Sequence, residues 1–116
     1  MIPKIYERIA QIALLVLSMT PLKNSNVDEL FEAILSLENL EECHEFFEDL
    51  FTINELISLS QRLSVAKKLD EGKTFSVITT ETGASSATIG RVNKCLSYGT
   101  GGYRKVLDRI KEKEGK

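Results

Sequence analysis

Thr74-Phe75-Ser76-Val77-Ile78-Thr79-Thr80-Glu81-Thr82-Gly83-Ala84-Ser85-Ser86-Ala87-Thr88-Ile89-Gly90-Arg91-Val92-Asn93-Lys94-Cys95-Leu96 is the stretch on which the reading of this 116-residue chain turns. Thr74 to Thr80 has the one alternation that a strand could use, but such a strand would be short and without a partner. A pair of helices accounts for the residues better. The first starts at Thr74 or its neighbour and turns Ile78 inward; Gly83 takes the tight turn; Ser85 caps a second helix whose Ile89, Val92 and Leu96 face in. This is the spacing of a helix-turn-helix. The outward surface of the second helix then carries Ser85, Ser86, Ala87, Gly90, Arg91 and Lys94, joined on the first by Thr74, Ser76 and Thr79. Small hydroxyl and methyl side chains let a helix lie close against base edges in a major groove, and the cations meet phosphate. Gly90 costs roughly 1 kcal/mol of helix stability against alanine, so it answers either to a close approach or to drift.

Upstream of this pair the apolar residues recur every three or four positions, the period of a helix with one covered face. Val27, Leu30, Phe31, Ile34, Leu35 and Leu37 form one such series, preceded by a linker at Lys23-Asn24-Ser25-Asn26. Leu40, Cys43, Phe46, Phe47 and Leu50 form the next, within Glu38 to Leu50, and the opposite face is densely acidic. Thr52 and Glu55 have the spacing of a capping box, opening a long helix to about Leu69 with Leu56, Leu59, Leu63, Val65, Ala66 and Leu69 as its apolar set and Gly72 as its stop. Downstream, Gly99, Gly101 and Gly102 lead into a last helix, Tyr103 to Lys113. Its Val106, Leu107 and Ile110 are expected to pack, and its Arg104, Lys105, Arg109 and Lys111 to be solvated or to reach phosphate. The expected fold class is all-α.

The net charge of −2 conceals an asymmetry. Residues 1–61 hold three Lys or Arg against eleven Asp or Glu, a net of −8, whereas residues 62–116 hold twelve against six, a net of +6. Nucleic acid is therefore expected to meet the second half. The competing reading is a protein-interaction module whose acidic residues Glu38 to Asp49 dock a basic partner. Cys43 and Cys95 lie far apart, and the single His44 cannot complete a metal shell, so no disulfide framework, metal site or cofactor is expected. No nucleophile-base set or phosphate-cradling glycine loop appears, which argues against an enzyme. Residues 1–24 are read as an apolar helix, ended before Pro21 and buried against a partner subunit, followed by linker; a signal peptide or membrane span fits less well, because Gln11 interrupts a short run. Residues 25–116 then make the helix-turn-helix domain of a cytoplasmic protein.

The wording of the decisive stretch narrows the class. Glu81-Thr82-Gly83-Ala84-Ser85, Ala87-Thr88-Ile89, Arg91-Val92, Cys95-Leu96 and Tyr98-Gly99 resemble the signature of the YerC/YecD family, which is Trp-repressor-like. Leu35 to Cys43, Phe51 to Glu55 and Gln61-Arg62-Leu63 resemble it too, so that the likeness runs from about Val27 to Lys113. The resemblance implies an intertwined all-α homodimer that sets two helix-turn-helix units in successive major grooves of double-stranded DNA, as a sequence-specific transcriptional regulator of the repressor kind. It also places Arg62 and Arg91 where the tryptophan repressor holds its indole, with Thr52 at the pocket rim. Val92 stands where that repressor has glycine, and Cys95 where it has serine, so tryptophan is not the expected effector and another small molecule, or none, is. The plainer role for Arg62 is an ion pair with an acidic neighbour, and for Arg91 a phosphate contact.

Overall fold

The computed structural model describes residues 25–115, together with Ile9. Expectations for the apolar segment within residues 1–24 lie outside the described residues, Ile9 apart. Among residues 25–115 six helices run in order: α1 (Ser25–Leu35), α2 (Leu40–Leu50), α3 (Ile53–Asp70), α4 (Phe75–Thr82), α5 (Ser86–Tyr98) and α6 (Gly102–Gly115). There is no strand among the described residues, and Thr74 to Thr80 belongs to the cap and body of a helix. The chain divides into two units, Met1–Glu45 and Phe46–Lys116.

In the first unit α1 starts at Ser25, so the expected linker residues Ser25 and Asn26 are already helical. Asn39 ends the following turn by accepting from the Glu42 backbone N–H at 2.9 Å, while the Glu42 carboxylate accepts from the Glu38 N–H at 2.9 Å. This reciprocal cap places the start of α2 at Leu40 rather than Glu38. None of the described residues of α1 is buried, and Leu35 and Leu40 remain 82% and 74% exposed.

The second unit has a small, well-defined core. Val65 and Ala66 of α3, Ile78 of α4, Ala84 of the turn, Ile89 and Val92 of α5, and Leu107 of α6 are buried together, with Leu69, Leu96 and Tyr103 packed against them. The capping box opens α3 as its residues require: Thr52 accepts from the Glu55 N–H at 3.1 Å, and Glu55 accepts from the Thr52 N–H at 2.8 Å. At the other end Gly72 adopts φ 85°. Apolar residues expected to be covered are not all covered by this chain. Leu59 and Leu63 of α3 and Val106 of α6 stay substantially exposed, as do Ile53 and Ile57. Only one stripe of α3 meets α4 and α5, and periodicity alone does not say which apolar residues lie on it.

α6 is fastened differently from the expectation. Arg104 is not left for solvent; its guanidinium makes a two-pronged contact with Asp70 at 2.7 and 2.9 Å and also pairs with Asp108, while Lys111 closes on the same Asp70 carboxylate. These contacts tie the last turn of α3 to α6. The Arg104 and Lys111 hydrogen bonds hold the Asp70 carboxyl well below the usual carboxylate range. A depressed folded-state value makes the contribution complete above the unfolded value of about 4 and lost as pH falls below it. Chemical denaturation across pH should therefore show Asp70→Asn less stable than the unsubstituted protein at pH 7, with the difference shrinking as pH drops from 5 towards 2. A gap that is constant with pH would remove the ionic account of this junction.

Candidate nucleic-acid interface

The helix pair forms because each of its ends is satisfied locally. Thr74 caps α4, its hydroxyl accepting from the Val77 N–H at 3.2 Å, and Ser85 caps α5, accepting from the Thr88 N–H at 3.1 Å. Between them Gly83 adopts φ 74° and donates its N–H to the Thr79 carbonyl at 2.9 Å. The Thr82 hydroxyl donates to the Ile78 carbonyl at 2.7 Å and accepts from the Ala84 N–H at 3.1 Å, so the elbow leaves its backbone groups paired. Gln61 of α3 reaches across to the Thr82 carbonyl at 3.2 Å and fixes the elbow to the body of the unit. Ile78 and Ile89, both wholly buried, close the angle from inside.

The expected contact residues divide between the two helices. Ser86, Ala87, Arg91 and Lys94 are exposed on α5, and Gly90 is half-buried. Thr74, Ser76 and Thr79 are exposed at the cap and on the body of α4. The Ser85 hydroxyl is largely committed, because it also donates to the Thr88 hydroxyl at 3.1 Å. A Cβ at Gly90 would meet nothing within 4 Å, so no close approach within the chain accounts for this glycine.

Arg62 and Arg91 come together at a cleft of about 250 Å³ that is also lined by Thr88, Val92, Cys95 and Tyr103. Neither arginine has an ion pair among the described residues, so the acidic neighbour expected for Arg62 is not found among them. Thr52 is elsewhere: its hydroxyl serves the cap of α3, ten residues before Arg62 and so about 15 Å along the helix. Val92 belongs at once to the core and to the cleft wall. Tyr103, which sequence spacing did not single out, reaches the cleft from α6, and its partial burial pushes its hydroxyl pKa up. A second, mainly apolar cleft of about 540 Å³ lies alongside, bounded by Leu63, Cys95, Tyr103 and Val106. No group of three His, Cys, Asp or Glu side chains suited to a metal occurs among the described residues.

An all-α unit whose second short helix stands outward on a glycine elbow, beside two guanidinium groups with no acidic partner among the described residues, defines a helix-turn-helix domain of the Trp-repressor-like class. The chain belongs to the Trp repressor protein family, whose model matches residues 25–111. It is 58% identical over 93 residues to the uncharacterized protein YerC of Bacillus subtilis strain 168, covering 80% of this chain and 89% of that one. Among solved structures it is similar to a Staphylococcus aureus protein assigned as a Trp repressor, at 52% identity and TM-score 0.75, covering 80% of this chain and 93% of that one. A TrpR-like protein from Eubacterium eligens ATCC 27750 matches at 54% identity and TM-score 0.75, covering 78% and 94%.

The two glycines of the helix pair should respond to alanine with opposite signs. Gly83→Ala forces a side chain into left-handed backbone and is expected to cost about 1–2 kcal/mol, whereas Gly90→Ala is expected to gain about 0.5–1 kcal/mol in a helix with open space at that position. Urea unfolding of the two variants measures both. Loss of stability in Gly90→Ala would reveal crowding at that face that a single copy lacks.

Proposed function

We propose that this protein is a sequence-specific DNA-binding transcriptional regulator of the repressor kind, acting from the cytoplasm as a homodimer rather than as a catalyst. The observation that carries the reading is the exposed α5 surface of Ser86, Ala87, Arg91 and Lys94, next to the half-buried Gly90, on a chain that belongs to the Trp repressor family. In this reading α5 enters the major groove of double-stranded DNA. Ser86 and Ala87 at its N-terminal end contact base edges, and Lys94 meets the backbone. Ser85 contributes through the cap, while Thr74, Ser76 and Thr79 face the adjoining phosphates.

The uncovered apolar residues support the second copy. Ile53, Ile57, Leu63 and Val106 leave more apolar surface open than a small lone unit ordinarily tolerates. Two such units related by a two-fold axis read half-sites about one turn of DNA apart, roughly 34–36 Å. The Arg62–Arg91 cleft is the place for an effector. Thr52 joins it only if the partner copy supplies that residue, and Val92 on the cleft wall disfavours a flat indole, so tryptophan is not the proposed ligand.

A gel-shift salt series with a genomic duplex library tests the reading. Affinity should fall steeply with salt, and Lys94→Ala should weaken binding to every sequence and flatten the log–log slope by about 0.9 for each phosphate that is no longer neutralised. Substitution of Ser86 or Ala87 should instead change which sequences are preferred, by roughly 1–3 kcal/mol at the affected base pair. Negligible binding to every duplex at low salt would leave the protein-interaction reading in its place.

A further inference from the structure

Between Glu71 and Asp108 the chain has a single acidic residue, Glu81, and it lies in α4 within the helix-turn-helix. One of its carboxylate oxygens takes two ammonium groups, Lys68 at 2.9 Å from the last turn of α3 and Lys73 at 3.1 Å from the loop before Thr74. Lys73 also lies 3.8 Å from Glu71, so two lysines and two carboxylates form a cluster of zero net charge. The side chains of Lys68 and Lys73 are only 24% and 35% exposed, whereas Arg91 and Lys94 on α5 have no acidic partner among the described residues. The two ammonium groups hold the Glu81 carboxyl below its ordinary value, Lys68 contributing most, and the same contact raises Lys68.

Under the DNA-binding reading an acid within the helix-turn-helix works against affinity, and the elbow has other ties. The Gly83 turn, the Thr82 hydroxyl and the Gln61 bridge already hold it. Lys73 immediately precedes the cap of α4, the end of a helix that phosphate favours. Freed from Glu81, its ammonium group is available to a phosphate there.

We propose that Glu81 is an electrostatic brake, a positioning residue that keeps Lys68 and Lys73 folded back from DNA so that general attraction to phosphate stays low relative to sequence-specific contact. The proposal rests on the DNA-binding reading above. It assigns specificity to a residue that touches no base. The ratio of selected to random affinity is what matters to a regulator facing a genome of competing sites, and lowering non-specific attraction raises that ratio.

The test compares Glu81→Gln with the unsubstituted protein on a duplex selected from a genomic library and on a random-sequence duplex, across a salt series. Glu81→Gln should bind random duplex roughly tenfold more tightly at low salt, with a log–log slope steeper by about 0.9 for each lysine freed. Its preference for the selected duplex should fall. The double variant Lys68→Gln/Lys73→Gln should remove the gain when Glu81 is Gln. An unchanged slope in Glu81→Gln, a uniform loss of binding accompanied by a lower Tm, or a gain that survives Lys68→Gln/Lys73→Gln would each overturn the brake while leaving DNA binding intact. An unsubstituted protein that binds neither duplex at low salt would remove the DNA-binding reading itself, and the brake with it.

Discussion

Two short helices hold a defined angle only if something rigid fills the space between them, and here that something is Ile78 and Ile89, wholly buried against Val65 and Ala66 of α3. α4 has eight residues, too few to persist alone in water. It is helical because the Thr74 cap satisfies one end, Gly83 turns the chain at the other, and Ile78 is taken out of solvent between them. α5 inherits its direction from the same contacts. The outward position of Ser86, Ala87 and Arg91 is therefore a consequence of what lies behind them, and a change in the wedge would re-aim the whole surface without touching it.

α3 carries more of the architecture than its length suggests. One stripe supplies Val65 and Ala66 to the core, its last residue Asp70 anchors α6 through Arg104 and Lys111, and Gln61 and Lys68 both reach the last turn of α4, at Thr82 and Glu81. Its remaining apolar residues, Ile53, Ile57 and Leu63, stay uncovered. A helix that is apolar on more than one side requires more than one partner. Under the proposed reading the second partner is another copy, and the helix that aligns the recognition element within a protomer also sets the separation of two such elements across the dimer.

What could be read from the sequence followed the range of the interactions. Caps and turns act over two to four residues and use few residue types, so Thr52 with Glu55, Ser85, and Gly83 announced themselves and lie as expected. The helix-turn-helix was legible for the same reason. Pairings across long separations were not. Nothing local to Arg104 marks Asp70, thirty-four positions away, as its partner, and so the sequence leaves its charge to solvent or to phosphate. Likewise nothing in the apolar period of α3 separates Val65, which the chain covers itself, from Leu63, which it does not. At the candidate site Arg62 and Arg91 line one cleft of the protomer while Thr52 caps α3 away from it, and nothing in the sequence hints at Tyr103, because α6 contributes to that wall only through the tertiary fold.

The chemistry of the exposed face bears on how such a surface discriminates. A recognition helix armed with long cations binds any phosphate backbone within their reach; one that leads with Ser86 and Ala87, and has nothing within 4 Å of the site of a Gly90 Cβ, must come within contact distance before it gains anything. Under the proposed reading, close approach succeeds only where groove width and base edges fit, so that the small residues would convert shape into selectivity. The charge distribution points the same way. The acidic residues of positions 1–61 oppose general attraction, and the lysines nearest the elbow are already neutralised. Under the proposed reading, Arg91 and Lys94 supply the part of the energy that salt screens, and direct contact along α5 supplies the part that depends on sequence. Such contact varies with sequence far more than the Coulombic attraction of a backbone does, and a protein of low net charge can be selective on those terms without being broadly adhesive.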